Sequence, residues 1–345
     1  VEETENYVHM QPGPRGLSGN RVSLDMVSVG ATVNIMLAAA FAGCSTQQTE
    51  NKELVKLTVS EVTHSIFYAP MYAAINNGYF EENGIEVELV NAGGADKVMT
   101  ALLTDAADIG FAGPEAVIYV AAQGKEAYPK VFAQLTACDG SFLIGRQPAE
   151  NFDWQSLRGA TILPGRKGGI PYMTLEYCLN KNGMEVGKDV FFDDSISFNA
   201  MTGAFVAGTG DYVTVFEPGA TDLELQGKGY ILASVGEEGG RVPYTTYFAN
   251  GDFLEENSGL IQRFTDAIYK GQQFVINSTA DDVAAAIADS FPETDVSVIS
   301  AVVQRYKDIG AFSDSGIMMK EDFDRLCAIL ENAGELSAKV NLHNP

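Results

Sequence analysis

Residues 54–90 read LVKLTVSEVTHSIFYAPMYAAINNGYFEENGIEVELV, and this stretch decides the fold. From Val55 onward, apolar and polar residues alternate as far as Val62, the period of a half-buried strand. Met71–Asn77 follows and leads through Gly78-Tyr79-Phe80 to the turn Glu82-Asn83-Gly84. Ile85–Val90 then alternates cleanly as a second strand. A strand, a helix and a strand in quick succession form the unit that joins parallel strands, because the crossover has to cover one face of the sheet.

The alternation continues downstream. Ala95–Leu103 has helical spacing through Val98, Leu102 and Leu103, and Asp108–Ala112 is a short buried strand. Pro114 sits where proline favours a first helical turn, and Lys130–Leu135 is the next strand. A second series begins with the apolar Phe142–Gly145 and runs through Trp154–Gly159 into Ala160–Leu163. The glycine-rich loop Pro164–Gly169 (PGRKGG) precedes a helix over about Pro171–Asn182. Val190–Phe192, a helix near Asn199–Val206, and strands Tyr212–Phe216 and Tyr230–Val235 complete this series. Tyr244–Asn250 reads as a return strand. Helices then occupy Ser258–Ile276, Ala280–Ser290, Asp295–Ile309 and Lys320–Ala333. The fold class is α/β, with mixed, mostly parallel sheets flanked by helices. No repeat with a period of about 20–50 residues and no low-complexity tract interrupts it.

At 345 residues the chain exceeds what one core normally supports, so two lobes are expected. A hydrophobic content of 46% with 10% aromatics excludes a disordered chain. Forty-six acids against 22 bases give a net charge of −24, which repels phosphate backbones and excludes nucleic acid as a partner. The three histidines, at 9, 64 and 343, are too scattered for a metal cluster, and neither an HExxH nor a GxSxG motif occurs. The paired acids Asp193-Asp194 would point to opposite faces of a strand. No metal, no cofactor and no catalytic residue is expected.

The first fifty residues read as an address. Residues 1–20 are polar and contain Gly and Pro, as a tag, a miscalled start or a disordered leader would. After Arg21, the run Met26–Gly43 (MVSVGATVNIMLAAAFAG) carries no charge and ends in small residues before Cys44. It is marginal for a membrane-spanning helix, which needs about 20 apolar residues, and fits a secretory signal better. Phe41-Ala42-Gly43-Cys44 resembles a bacterial lipobox, in which the cysteine is lipidated and becomes the mature N-terminus. The alternative is a buried alanine-rich helix with an ordinary cysteine. The expected division is therefore a leader and lipoprotein signal over 1–43 and a linker over 44–52. Cys138, Cys178 and Cys327 are widely spaced and imply no disulfide framework; packed small hydrophobes are their expected role.

Four stretches carry a family resemblance. His64–Ala74 with Asn77–Phe80 and Gly84–Val87 comes first. Asp105–Pro114 (DAADIGFAGP), Leu157–Gly169 (LRGATILPGRKGG) and Gly210–Pro218 (GDYVTVFEP) follow in order. Together, over roughly residues 55 to 335, they resemble the solute-binding proteins of ABC importers of the nitrate/sulfonate/taurine and thiamin-pyrimidine-precursor type. The resemblance implies the two-lobed periplasmic-binding-protein type II fold, with the ligand cleft between lobes. Lobe 1 would comprise 53–138 plus 247–345 and lobe 2 residues 139–246. The crossings would fall near Ala137–Phe142 and Val242–Tyr247.

Ligands in open α/β sheets sit beyond the carboxyl ends of strands, which selects the site candidates. His64 and Tyr68 offer an imidazole and an aromatic wall, or a helix cap and core. Gly113-Pro114-Glu115 opens a helix with free N–H groups, where Glu115 contacts ligand or merely favours the positive helix end. In Gly165–Gly169 the residues Arg166, Lys167, Gly168 and Gly169 form a plausible anion cradle, or a solvated turn. Glu217 contacts ligand or caps its helix. Tyr244 and Thr245 supply hydroxyls or hinge packing. Cys44 is the lipidation site.

The expected function is an extracytoplasmic lipoprotein, on the outer face of the cytoplasmic membrane or in the periplasm. It captures a small-molecule solute by lobe closure and delivers it to an ABC-transporter permease, working as a monomer held to the membrane through the lipid at Cys44. The solute is a heteroaromatic, such as a pyrimidine, thiamin or riboflavin precursor, or a small anion such as a sulfonate or nitrate. The alternative is a pyrimidine-precursor biosynthetic enzyme on the same fold. Against it, nothing in this chain matches the cysteine-rich signature of the related eukaryotic-type synthases.

Overall fold

The computed structural model describes residues 2–4, 7–9, 54–123 and 128–336. The run 26–43, the expected lipidation residue Cys44 and the expected linker 44–52 lie outside the described residues. Strands β1 (Glu2–Thr4) and β2 (Tyr7–His9) form a small antiparallel ladder within the stretch read as a leader. A separate unit begins at Leu54.

Seven residues of alternating character form β3 (Val55–Glu61), which buries Leu57 and Val59 and leaves Val55 and Lys56 exposed. β4 (Ile85–Asn91) pairs beside it in parallel with Val55 opposite Ile85. β5 (Ile109–Ala112) pairs in parallel on its other side. β6 (Lys130–Thr136) closes the first half of the chain, β7 (Ser141–Gly145) opens the second, and β8 (Thr161–Leu163), β9 (Phe191–Phe192), β10 (Tyr212–Phe216) and β11 (Tyr230–Ser234) follow it. The chain then returns as β12 (Thr245–Ala249). Two five-stranded sheets result, of order β4-β3-β5-β12-β6 and β11-β7-β10-β8-β9. Both are mixed. The expected parallel pairing holds in β4-β3-β5 and β10-β8-β9, while β12 and β7 lie antiparallel to both of their neighbours. The antiparallel half has a simple cause: β7 and β12 each receive the chain from a short crossing rather than from a covering helix.

Two such crossings connect the sheets, over residues 137–140 and 240–244. They run side by side and are bonded to each other: Val242 N–H donates to the Ala137 carbonyl at 2.9 Å and Tyr244 N–H to the Thr136 carbonyl at 3.1 Å. Helix Lys320–Asn332, grouped from sequence with the first lobe, packs against helix Ile170–Lys181 beside the second sheet, with Asn180 donating to Asn332 at 3.1 Å. Among the described residues no helix is long and apolar enough to cross a membrane.

The outer edge of β6 is covered by residues 311–316: Gln134 N–H donates to the Gly316 carbonyl at 2.9 Å and Ser313 N–H to the Leu135 carbonyl at 3.1 Å. The other edge of that sheet, β4, carries Glu86 and Glu88 outward, the latter paired with Lys56 at 2.9 Å.

Helix Ser258–Asn277 lies on helix Ala69–Asn76 at a contact that requires glycine. A Cβ on Gly271 would fall 2.1 Å from the Pro70 carbonyl oxygen and 3.0 Å from the Ala74 methyl. Because the obstruction is backbone, the helices must separate to accept it. Gly271→Ala is therefore expected to destabilise the protein by about 1–3 kcal/mol, measurable as a lowered midpoint in urea, although alanine is the better helix former.

Candidate functional site

Beyond β3 the chain turns through a 3₁₀ segment, Ile66–Tyr68, whose first N–H groups are capped by Ser65 Oγ accepting from Phe67 N–H at 3.2 Å. The same hydroxyl donates to the Glu217 carbonyl at 3.0 Å, tying this turn to the end of β10. Phe67 is fully buried and its ring lies on the first crossing, so close that a Cβ on Gly140 would meet it at 2.6 Å. Around Phe67 stand Tyr68, Phe216, Tyr244 and Tyr306, with ring centroids 5.0–5.8 Å away.

Near these rings three buried side-chain atoms lack hydrogen-bond partners. Glu115 starts helix Glu115–Ala122 and is 3% exposed, and its Oε2 accepts no hydrogen bond. Its carboxyl folds back over Gly113, where a Cβ would lie 1.9 Å from Oε2, so glycine is required there. Asp139 sits in the first crossing with 0% exposure. Its Oδ1 accepts from Ser141 N–H at 2.7 Å and Ser141 Oγ at 2.6 Å, while Oδ2 accepts nothing. The Tyr244 hydroxyl, in the second crossing, is likewise unpartnered. Tyr244 and Thr174 stand near enough to act on the Asp139 carboxyl, but neither closes a hydrogen bond onto Oδ2.

Burial raises the Glu115 carboxyl to about 7, opposed by its own backbone N–H, by the Arg166 charge and by the Ile170 N–H at the start of helix Ile170–Lys181. Burial likewise raises Asp139 to about 7, against the bonds from Ser141. Tyr68 and Tyr244 are pushed upward by burial, and both feel the charges of Glu115 and Asp139, which places the four groups in one neighbourhood. The Thr245 hydroxyl acts on the Tyr68 phenol from β12.

The glycine loop forms the opposite wall. Gly165 and Gly168 hold left-handed φ values of 94° and 75°, which L side chains rarely adopt. Tyr119, on the helix begun by Glu115, donates to the Gly168 carbonyl at 3.0 Å, and Gly169 caps helix Ile170–Lys181. Arg166 and Lys167 stay at the rim. The Arg166 side chain is 55% exposed and lies 4.0 Å from Asp96, and Lys167 is exposed and acts on Glu176.

Two residues offered as ligand contacts or helix caps, His64 and Glu217, bond to the surrounding framework. His64 Nδ1 lies 3.0 Å from Glu61 Oε1 and 3.0 Å from the Tyr72 hydroxyl, while Nε2 lies 2.8 Å from the Ser290 carbonyl. The bond to Glu61 raises the imidazole above its usual range, with burial opposing it. Both ring nitrogens therefore face groups of their own layer, because Glu61 and Ser290 flank the ring. Glu217 has a fully buried side chain paired with Arg305 of helix Val296–Asp308, and it accepts from Thr221 N–H at 2.8 Å and Thr221 Oγ1 at 3.0 Å. Beside it the Tyr306 hydroxyl accepts from Glu217 N–H at 3.1 Å and donates to the Gly140 carbonyl at 3.1 Å. Glu217 thus belongs to a tie between the layers. Asp139, Thr174, Tyr119 and Arg305 were not anticipated. The only local signal was Asp139-Gly140, a polar turn pair between two apolar strands.

Comparison with known proteins agrees with this architecture. The family model described as "NMT1/THI5 like" matches residues 66–281. The "Putative binding protein YtlA" of Bacillus subtilis (strain 168) is 44% identical over 307 residues, 89% of this chain and 91% of that one. Among solved structures, the alkanesulfonate-binding protein SsuA from Xanthomonas axonopodis pv. citri, bound to MOPS, superposes with a TM-score of 0.65 at 16% identity, covering 84% of this chain and 96% of that one. The periplasmic nitrate-binding protein NrtA from Synechocystis PCC 6803 gives a TM-score of 0.63 at 16% identity, covering 84% of each chain. At such identities these two show the fold, which is that of the two-lobed periplasmic binding proteins.

Two outcomes follow from the buried carboxylates. Glu115 ionises at about 7 in the folded chain against its ordinary 4.5, so between those values the folded state keeps a proton that the unfolded state has lost. Stability contributed by the neutral form is complete below the unfolded value and falls as pH rises through the folded one, by on the order of 3 kcal/mol. Glu115→Gln should therefore melt higher than the wild type at pH ~8 and equally at pH ~4 in calorimetry of the ligand-free protein. Arg305→Ala strands Glu217 as an unpaired buried charge and should cost about 3–5 kcal/mol in urea unfolding, most of it recovered by adding Glu217→Gln.

Proposed function

We propose, from the premise that this chain belongs to the NMT1/THI5-like family, that it is an extracytoplasmic solute-binding protein of an ABC importer. The observation that carries the reading is the set of unpartnered buried groups, Glu115 Oε2, Asp139 Oδ2 and the Tyr244 hydroxyl, gathered beside the two crossings. Buried polar atoms normally find partners, so three orphans in one place mark where a solute supplies them. The name of the Bacillus relative, a binding protein, and those of the sulfonate- and nitrate-binding neighbours support the same assignment.

The proposed contacts are Tyr68, Gly113, Glu115, Gly168, Gly169, Tyr244 and Thr245, joined by Asp139. Arg166 and Lys167 guard the rim. His64 and Glu217 hold the framework. Closure brings the first layer's Tyr68 and Glu115 to the second layer's glycine loop, and a solute touching both sides stabilises the closed form. Two short hydrogen-bonded crossings are the natural pivot. The lipobox-like Phe41-Ala42-Gly43-Cys44 supports anchoring at Cys44, which would hold the protein beside its permease. The acidic surface suits docking on basic permease loops.

The protein should co-purify with a small molecule detectable by native mass spectrometry. Once stripped by partial unfolding and refolded, it should melt several degrees higher when that molecule is returned. An empty protein with no melting response to sulfonates, nitrate or pyrimidines would sink this reading. Turnover of any of them would move it to the enzyme alternative.

A further inference from the structure

We infer that His64 is a proton-operated staple: its charged ring pins the turn after β3 to residues 288–291, and loss of one proton releases that segment. The inference goes beyond solute binding and does not depend on it.

Hydrogen-bond valence carries it. His64 Nδ1 lies 3.0 Å from Glu61 Oε1, and Nε2 lies 2.8 Å from the Ser290 carbonyl oxygen. A carbonyl oxygen only accepts, so Nε2 must bring a proton to it. The Tyr72 hydroxyl directs its single proton at Glu61 Oε2, at 2.7 Å, and offers only its oxygen to Nδ1, at 3.0 Å. Nδ1 therefore faces acceptors as well, and a ring that donates from both nitrogens is an imidazolium.

The surroundings suit a cation. Glu61 is 2% exposed, so its carboxylate needs an opposite charge beside it. The rings of Tyr72 and Phe291 stand 4.9 and 4.7 Å from the imidazole by centroid, within reach of a cation–aromatic attraction. β3 contributes Glu61 to this nest and helix Ala69–Asn76 contributes Tyr72. The segment after helix Ala280–Ile287 contributes the Ser290 carbonyl and Phe291, while Asp289 beside them is exposed. Glu61 is the charged group that acts on the ring: its bond raises the imidazole, burial opposes it, and the Ser290 carbonyl adds to it. The side chain is 40% exposed, so solvent can take up its proton.

A neutral ring has one N–H for two acceptors. Glu61 is buried and charged, so leaving it unpaired costs more than leaving the half-buried Ser290 carbonyl to water. The proton that stays is on Nδ1, and the Ser290 bond is the one that breaks. Asn76 still holds that segment, with Nδ2 donating to the Ala286 carbonyl at 3.0 Å and to Ser290 Oγ at 3.1 Å. The stapled turn runs directly into Ser65, whose hydroxyl reaches the Glu217 carbonyl of the other sheet at 3.0 Å. Proton loss thus frees the first layer beside a point at which it holds the second.

The test is NMR on the full chain, in which only three histidines, at 9, 64 and 343, contribute ring signals. The His64 ring is identified by its loss in His64→Gln, or through its backbone resonances in the wild type if that variant does not fold. Long-range proton–nitrogen spectra should show both nitrogens protonated at pH ~7, a titration midpoint above the ordinary 6.5, and retention of the Nδ1 proton beyond it. The amide signals of Ser290 and Phe291 should shift with the same midpoint, and Glu61→Gln should lower it. Calorimetric melting supplies the sign. A raised folded-state value makes the stabilisation complete below 6.5 and loses it as pH rises through the midpoint. The wild type should therefore melt above His64→Gln at pH ~6 and lose that margin above the midpoint. A ring with one bare nitrogen at pH ~7, a midpoint at or below 6.5, or a titration that leaves Ser290 and Phe291 unmoved would overturn the staple.

Discussion

The contact between the Phe67 ring and the bare backbone of Gly140 organises everything around it. With no Cβ on Gly140, the ring approaches to a distance that any side chain would forbid, since even a methyl carbon would lie 2.6 Å away. Phe67 belongs to the turn after the first strand of one sheet, and Gly140 to the crossing that leads into the other. Seating one on the other fixes how the first crossing leaves the layer and so where Asp139 points. The neighbouring rings of Tyr244, Phe216 and Tyr306 then close around Phe67 from the second crossing, the second sheet and helix Val296–Asp308. Hydrogen bonds between the crossings hold them side by side.

Electrostatics works against this packing where acids are buried without a cation. Most of the chain's excess acid is solvated, where water and salt screen it. Glu217 is buried but paired with Arg305. Glu115 and Asp139 are buried without a cation, so below neutral pH they remain largely protonated and above it their charge destabilises the fold.

How much of this was legible beforehand depended on the range of the interaction. Alternation in LVKLTVSEV and IEVELV is local, so β3 and β4 were readable with their burial pattern. Gly113-Pro114-Glu115 was equally local, a helix start signalled by proline. Asp139 was not found, because the unbonded state of its Oδ2 is set by the folded surroundings and not by neighbouring residues. His64 read equally as a ligand group or a helix cap, and only the fold shows that Ser290, far along the chain, supplies a carbonyl 2.8 Å from its second nitrogen. Glu217 looked open until Arg305 arrived from the C-terminal region. Helix Lys320–Asn332 was readable as a helix but not in its placement, since an amphipathic stripe states that a face will be buried and not against what.

The segment 311–316 that lies along β6 has a consequence for the life of the molecule outside the site. An open strand edge is a template on which another chain can add itself. Here one edge of the first sheet is sealed by the chain's own later backbone, and the opposite edge carries outward glutamates that repel their own kind. The two defences differ in reversibility. Cleavage between Ala311 and Gly316 would free the backbone on that edge of β6 to pair with another chain, whereas loss of a single β4 charge would not.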